Sequence, residues 1–246
     1  MALPQVVSRE EWLVARRALL EREKELTRAR DVLNADRRRL PMVRVEADYR
    51  FTGPAGEVGL LDLFDGHRQL LLQHFMFDPA WDVPCHSCSA MAAETGEGVR
   101  EHLGRRDTAF AAVSRAPYPR LRAVQQDRGW TFAWYSSAGS SFNHDFHVTL
   151  DAAVTPVSYN FRDADELAAA GFDWMLDDVG EQPGISAFLR EGDDVFHTYS
   201  AYGRGVETMM HGYHLLDLTA LGRQEDWEEP KGRAPVAHAA DPGFRS

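Results

Sequence analysis

The sequence predicts an α/β domain, a three-layer sandwich with a mixed central sheet flanked by helices, a long helix before it and a polar tail after it. Three observations carry this. Gln69 to Phe77 is a near-continuous apolar run of strand length, as suits a strand buried on both faces. Thr108 to Val113 is a second such run, and the stretch between them reads as helical, giving the strand–helix–strand unit of a parallel pair. Ile185 to Arg190 and Val195 to Tyr199 flank the turn Glu191-Gly192-Asp193-Asp194 and read as an antiparallel hairpin, which makes the sheet mixed.

The elements follow in order. Ser8 and Glu11 have the spacing of a capping box. Trp12, Leu19, Leu26 and Leu33 then recur every seven residues, with Ala15 and Ala29 on the same stripe, so an amphipathic helix is expected up to Pro41. Arg22 interrupts the stripe, which favours packing or a homodimer contact over an extended coiled coil. Met42 to Glu46 and Tyr49 to Phe51 read as short strands, and Gly53-Pro54-Ala55-Gly56 as a turn. A helix is expected from the cysteine motif to about Leu103, a short one over Leu121 to Gln126, and a strand over Trp130 to Tyr135. Residues 136–182 mix Gly, Ser, Asp and short apolar pieces and give no clear pattern. A helix is expected over Gly205 to His211. The domain organisation is then an arm over 1–40, the sandwich over 41–223, and a polar, disordered tail over 224–246.

Composition narrows the classes of function. The formal net charge of −11 argues against a nucleic-acid binder. Residues 1–46 hold 11 Lys/Arg and 8 Asp/Glu, so the arm is mildly basic and the remainder acidic. Arg37-Arg38-Arg39 reads as a solvated helix end. Apolar runs such as Leu70-Leu71-Leu72 are far too short to span a membrane. Met1 to Trp12 lacks the basic-then-apolar pattern of a secretory signal, so the cytoplasm is the expected compartment. With 2 cysteines, neither a disulfide scaffold nor a four-cysteine zinc site is available.

Those two cysteines form Cys85-His86-Ser87-Cys88, where the first buried strand gives way to a helix. A helix N-terminus offers unpaired N–H groups and the positive end of the macrodipole, both of which stabilise a thiolate. Cys85 is therefore the candidate nucleophile. Cys88, one turn later, is the candidate resolving thiol. His86 is expected to favour the Cys85 thiolate. Arg115, at the end of the second buried strand, is placed to steady a thiolate or peroxide oxygen, or to make a structural salt bridge. Trp81 walls the site or packs in the core. No phosphate-binding glycine loop and no nucleophile elbow occurs.

The chain resembles the thioredoxin-like proteins grouped as domain-of-unknown-function family 899. The resemblance rests on Arg37-Arg38-Arg39-Leu40-Pro41-Met42-Val43, Leu63-Phe64-Asp65-Gly66, His74-Phe75-Met76-Phe77 and Cys85-x-x-Cys88-Ser89. It continues through Val113-Ser114-Arg115-Ala116-Pro117, Gly129-Trp130-Thr131, Phe196-His197-Thr198-Tyr199-Ser200 and Leu216-Asp217-Leu218-Thr219. It implies a thioredoxin-like sandwich and a dithiol–disulfide oxidoreductase distantly similar to peroxiredoxins and thioredoxins. Two departures each add a histidine. Pro84-Cys85-His86 stands where the family usually has Gly-Cys-Pro, and His144 where it often has Tyr. The likeness also implies a cis-proline beside the dithiol, for which Pro183 is the candidate.

The histidines keep a second reading open. Copper chaperones of thioredoxin fold hold the ion with two cysteines and a distant histidine, and thiolate with imidazole suits copper or zinc. Cys85, Cys88, His86, His144, His147 and His197 are the candidate ligands. The pairs His144/His147 and His211/His214 would share a face only on a helix. His74 is expected to be buried and hydrogen-bonded. Two functions thus stand side by side. One is a thiol–disulfide oxidoreductase without cofactor, acting on a protein or small-molecule disulfide or a peroxide. The other is a copper-binding protein or copper enzyme.

Overall fold

Ser8 and Glu11 form the capping box their spacing predicts. The Glu11 N–H donates to Ser8 Oγ at 3.2 Å, and the Ser8 N–H to the Glu11 carboxylate at 2.9 Å. In the computed structural model, which describes residues 3–177 and 179–234, this cap opens α1, Arg9–Arg37. The helix ends ahead of Pro41, where the N–H groups of Arg39 and Leu40 turn back onto the Asp36 carbonyl. No residue of α1 is buried; Trp12, Leu19, Leu26 and Leu33 are 44%, 47%, 71% and 50% exposed. The residues divide into two compact units. One holds the described residues up to Pro41 and those from Leu215 to Ala234; the other runs from Met42 to His214.

In the first unit, Arg223 is paired with Asp217 at 2.8 Å, and the Glu228 carboxylate accepts from the N–H groups of Arg223 and Glu225. Of the tail predicted over 224–246, residues 235–246 lie outside the described residues.

The second unit begins with β1 (Val43–Arg44), β2 (Arg50–Gly53), β3 (Gly56–Gly59), a 3-10 turn (Leu60–Phe64) and β4 (Gln69–His74). There follow α2 (His86–Glu94), α3 (Glu97–Gly104), β5 (Thr108–Ser114), α4 (Tyr118–Arg128) and β6 (Ala133–Ser136). Next come α5 (Phe142–Asp145), β7 (Thr149–Leu150), α6 (Ala164–Ala169), β8 (Gly180–Glu181), β9 (Gly184–Glu191) and β10 (Asp194–Tyr202). A 3-10 segment, Gly203–Met209, leads into α7, His211–Leu216, in place of the single helix expected over Gly205 to His211.

Eight strands form one sheet in the order β1-β10-β9-β4-β5-β6-β2-β3, while β7 and β8 pair separately. β4, β5 and β6 are parallel; β9 runs antiparallel to β4, and β10 antiparallel to β9. The predicted hairpin and parallel pair are therefore present, joined through β4. Alternation along the strands sends side chains to two cores. Leu70, Leu72, Ala111 and Val113 face the 3-10 turn, α5 and α6. Leu71, Phe110 and Ala112 face α2 and α4, together with Phe75 and Phe77 just beyond β4. This is the predicted three-layer sandwich with a mixed sheet.

Two of the boundaries that differ from expectation have a visible cause. The helix expected to reach Leu103 is broken at Thr95-Gly96. The Thr95 N–H and hydroxyl both return to the Met91 carbonyl, at 3.1 and 3.0 Å, and Gly96 is extended and starts α3. β6 begins at Ala133 because Trp130 and Phe132 pack with Phe75 and Trp134 in an aromatic cluster instead of entering the ladder.

β9 opens on Gly184, opposite His74 of β4. A Cβ there would stand 2.9 Å from the Tyr202 ring and 3.1 Å from that of His74, so only glycine lets these rings close over the strand. Pro183 precedes it as expected, but its peptide is trans, which corrects the cis-proline expectation.

Candidate active site

The dithiol lies just past the end of β4. The chain loops out over Asp78 to Pro84 and returns, the Cys85 N–H donating to the Met76 carbonyl at 3.1 Å. Arg120 of α4 pins this loop by donating to the carbonyls of Pro79 and Trp81, with its guanidinium 4.8 Å from the centre of the Phe77 ring. Trp81 is half-buried against the core on the α2 side.

Cys85 is the N-cap of α2. Its carbonyl accepts the first helical bond, from the Ser89 N–H at 3.0 Å, and also the Ser89 hydroxyl at 2.8 Å. Its Sγ lies 3.2 Å from Ser87 Oγ. Both cysteines are free thiols, Cys85 half-buried and Cys88 fully buried. The Cys88 thiol is the largest influence holding the Cys85 thiol down, to about 6, against the opposing effect of burial. The Ser87 hydroxyl and the backbone N–H groups of Cys88 and Ser87 add to it. This is the helix N-terminus acting on a thiolate. Cys88 moves the other way. Donating to Cys85, burial and the nearby Cys85 charge push its thiol well above the usual range, and Glu181 adds to this.

The Ser87 bond gives a direct expectation. Ser87→Ala removes a hydrogen bond to a charged acceptor, worth about 1.5 kcal/mol or more. The pH midpoint of Cys85 alkylation should rise by roughly one unit. An unchanged midpoint would show that the N–H groups and Cys88 suffice.

Glu181 is a buried carboxylate of β8. It is 3% exposed and accepts from Thr149 Oγ1 at 2.7 Å and Asn143 Nδ2 at 3.1 Å. Arg115 is held between it, at 3.2 Å, and Asp78, at 3.6 Å. Burial pushes the Glu181 carboxyl up to about 7, opposed by Thr149, Arg115 and Asn143 and assisted by Asp78. Arg115 therefore joins two carboxylates, one on the loop before Cys85 and one whose charge reaches Cys88. Among 38 Asp and Glu, nothing in the sequence marks Glu181. It lies in the stretch that carries no clear pattern, and its partners come from β7 and α5.

The histidine candidates lie in several different surroundings. His86 lines a groove outside α2 with Val83, Pro84, Ser89 and Trp130. His197 belongs to the opposite face of the sheet, its ring packed on Phe146 and Phe188. There its Nε2 meets Ser200, which meets Ser186, which meets His74, each contact at 2.7 Å. His74 is thus buried and hydrogen-bonded as expected, and burial drives its imidazole down to about 3. His144 lies on the single turn α5, and His147 follows with a φ of 53°, so the two do not share a helical face. The proposed copper or zinc ligands Cys85, Cys88, His86, His144, His147 and His197 are therefore not assembled. Among the described residues no group of three or more His, Cys, Asp or Glu is placed to hold a metal ion. Arg39 pairs with Asp36, as suits a solvated helix end. Among the described residues, no helix is long and apolar enough to cross a membrane.

β4 carries a parallel β5 on one side and the antiparallel β9–β10 hairpin on the other, with the dithiol on the helix that follows. That arrangement defines a thioredoxin-like α/β domain. The chain belongs to the DUF899 family, described as bacterial protein of unknown function, whose profile matches residues 1–239. No curated protein matches the chain. Solved structures similar to it include peroxiredoxin Q of Xanthomonas campestris, at 11% identity and a TM-score of 0.48 over 74% of this chain and 98% of that one. Another is peroxidoxin BcpB of Mycobacterium tuberculosis, at 11% identity and a TM-score of 0.42 over 70% of this chain and 94% of that one.

Proposed function

We propose that the protein is a thiol–disulfide oxidoreductase in which Cys85 attacks and Cys88 resolves. The asymmetry of the two thiols across one turn at the start of α2 carries this reading. One is partly exposed and held down to about 6; the other is buried and held up. In the first step the Cys85 thiolate attacks one sulfur of a substrate disulfide, forming a mixed disulfide and expelling the other sulfur as a thiolate. In the second, Cys88 loses its proton and attacks Cys85 Sγ, expelling the remaining substrate thiolate. Two electrons pass from the protein dithiol to the substrate, and an external thiol reductant returns the protein to the dithiol. Glu181, ionised above about pH 7 and close enough to influence Cys88, is suited to take the Cys88 proton. A thiol-rich compartment such as the cytoplasm supplies the reductant this cycle needs. The exposed apolar stripe of α1 supports self-association as a homodimer.

Cys88→Ser tests the assignment. The variant should accumulate a stable mixed disulfide on Cys85, visible by mass spectrometry, when wild type passes on to an internal disulfide. A Cys88→Ser protein that forms no adduct with any disulfide would overturn the reading.

A further inference from the structure

Outside α2 lies a groove of about 590 Å³. Part of its lining is His86, Ser89, Ala90 and Ala93 of α2, which stand at the i, i+3, i+4 and i+7 positions of a single face. The rest of the lining is Trp130, Arg128, Val83 and Pro84. The lining includes Pro84 and His86, the residues on either side of Cys85 in the chain.

Two features narrow the occupant. The first is rigidity and size. Trp130 is held against Phe75, Phe132 and Trp134, with ring centres 6.2, 5.4 and 5.9 Å away, so it forms a fixed apolar wall. A cleft of this volume suits a small molecule. The second is charge. On a chain of net charge −11, the lining holds a guanidinium and an imidazole and no carboxylate. Arg128 is exposed, and its contact with Asp127 is long, 3.9 Å, and open to solvent, so it offsets little of the charge. A guanidinium beside an apolar wall suits a carboxylate carried on a short aliphatic chain.

We propose that this groove binds one half of an anionic, carboxylate-bearing low-molecular-weight disulfide, whose carboxylate meets Arg128 and whose aliphatic part lies on Trp130. The proposal rests on the redox reading above and names its substrate class. Bond changes are those already given, with the half held in the groove leaving as the second thiolate.

The test uses three small disulfides: glutathione disulfide (anionic), bis(2-hydroxyethyl) disulfide (neutral) and cystamine (cationic). Oxidation of the reduced full-length protein is followed by mass spectrometry at low ionic strength. Arg128→Glu should lower the ratio of anionic to cationic rates at least about tenfold relative to wild type, and Arg128→Lys should restore most of it. Comparing variant with wild type cancels the intrinsic reactivity of each disulfide. If wild type reacts with the neutral disulfide but Arg128→Glu leaves the anionic-to-cationic ratio unchanged, the groove assignment is overturned and the redox reading stands. If wild type reacts with none of the three, the groove assignment is overturned, and the redox reading is decided separately by the Cys88→Ser adduct with a protein disulfide.

Discussion

Cys85→Ser is expected to lower the rate of disulfide reduction by at least about 10³-fold at every pH from 6 to 8. The attacking species is a thiolate, and a serine hydroxyl stays protonated and poorly nucleophilic throughout that range. The wild-type rate should rise with pH around a midpoint of about 6, the value at which Cys88, Ser87 and two backbone N–H groups hold Cys85. At pH 7 roughly nine-tenths of Cys85 is then thiolate, against a few per cent for an ordinary cysteine. Iodoacetamide trapping against pH measures the midpoint directly, with Cys88 protected by burial and its raised pKa. A midpoint near 8.5 would mean that the start of α2 does not activate the thiol. Retained turnover in Cys85→Ser would move the chemistry away from this dithiol altogether.

The parts of this site that can be read from sequence are those fixed by local physics. The capping box at Ser8 and Glu11, the apolar runs of β4 and β5, and the dithiol at a strand–helix junction each depend on neighbours within a few positions. What escapes is what long-range pairing decides. Glu181 matters because β7 sets Thr149 beside it and α5 sets Asn143 beside it, and neither element follows a period in the sequence. Arg115 is legible as a residue at a strand end, but its two partners are not, since they lie 37 residues before it and 66 after it. The histidines mislead for the same reason. His144, His147 and His197 look like possible companions of the cysteines, yet strand alternation puts His197 on the opposite face, in the chain of hydroxyls that ends on His74.

Glu181→Gln is expected to remove a pH dependence of stability as large as roughly 3 kcal/mol. Burial raises the folded-state carboxyl to about 7, whereas in the unfolded chain it ionises near its ordinary value of 4.5. Between these values the native protein holds a proton that the unfolded chain has released. Stability must therefore fall as pH rises through this window, by about 1.4 kcal/mol per unit, and level off above it. Below the unfolded value the buried acid is neutral in both states and costs nothing further. The amide keeps an acceptor for Thr149 but turns an NH₂ toward the Asn143 donor, which adds a penalty that does not vary with pH. The slope of denaturant stability between pH 4.5 and 7.5 isolates the titration from that penalty. The same substitution should slow resolution of the Cys85 mixed disulfide by about 10²-fold while leaving the pH midpoint of Cys85 alkylation near 6, since Glu181 is not among the groups that set it. Identical slopes in the two proteins would show that Glu181 stays ionised beside Arg115. A carboxylate charged well below neutral pH would then give the resolving step no pH dependence of its own near pH 7.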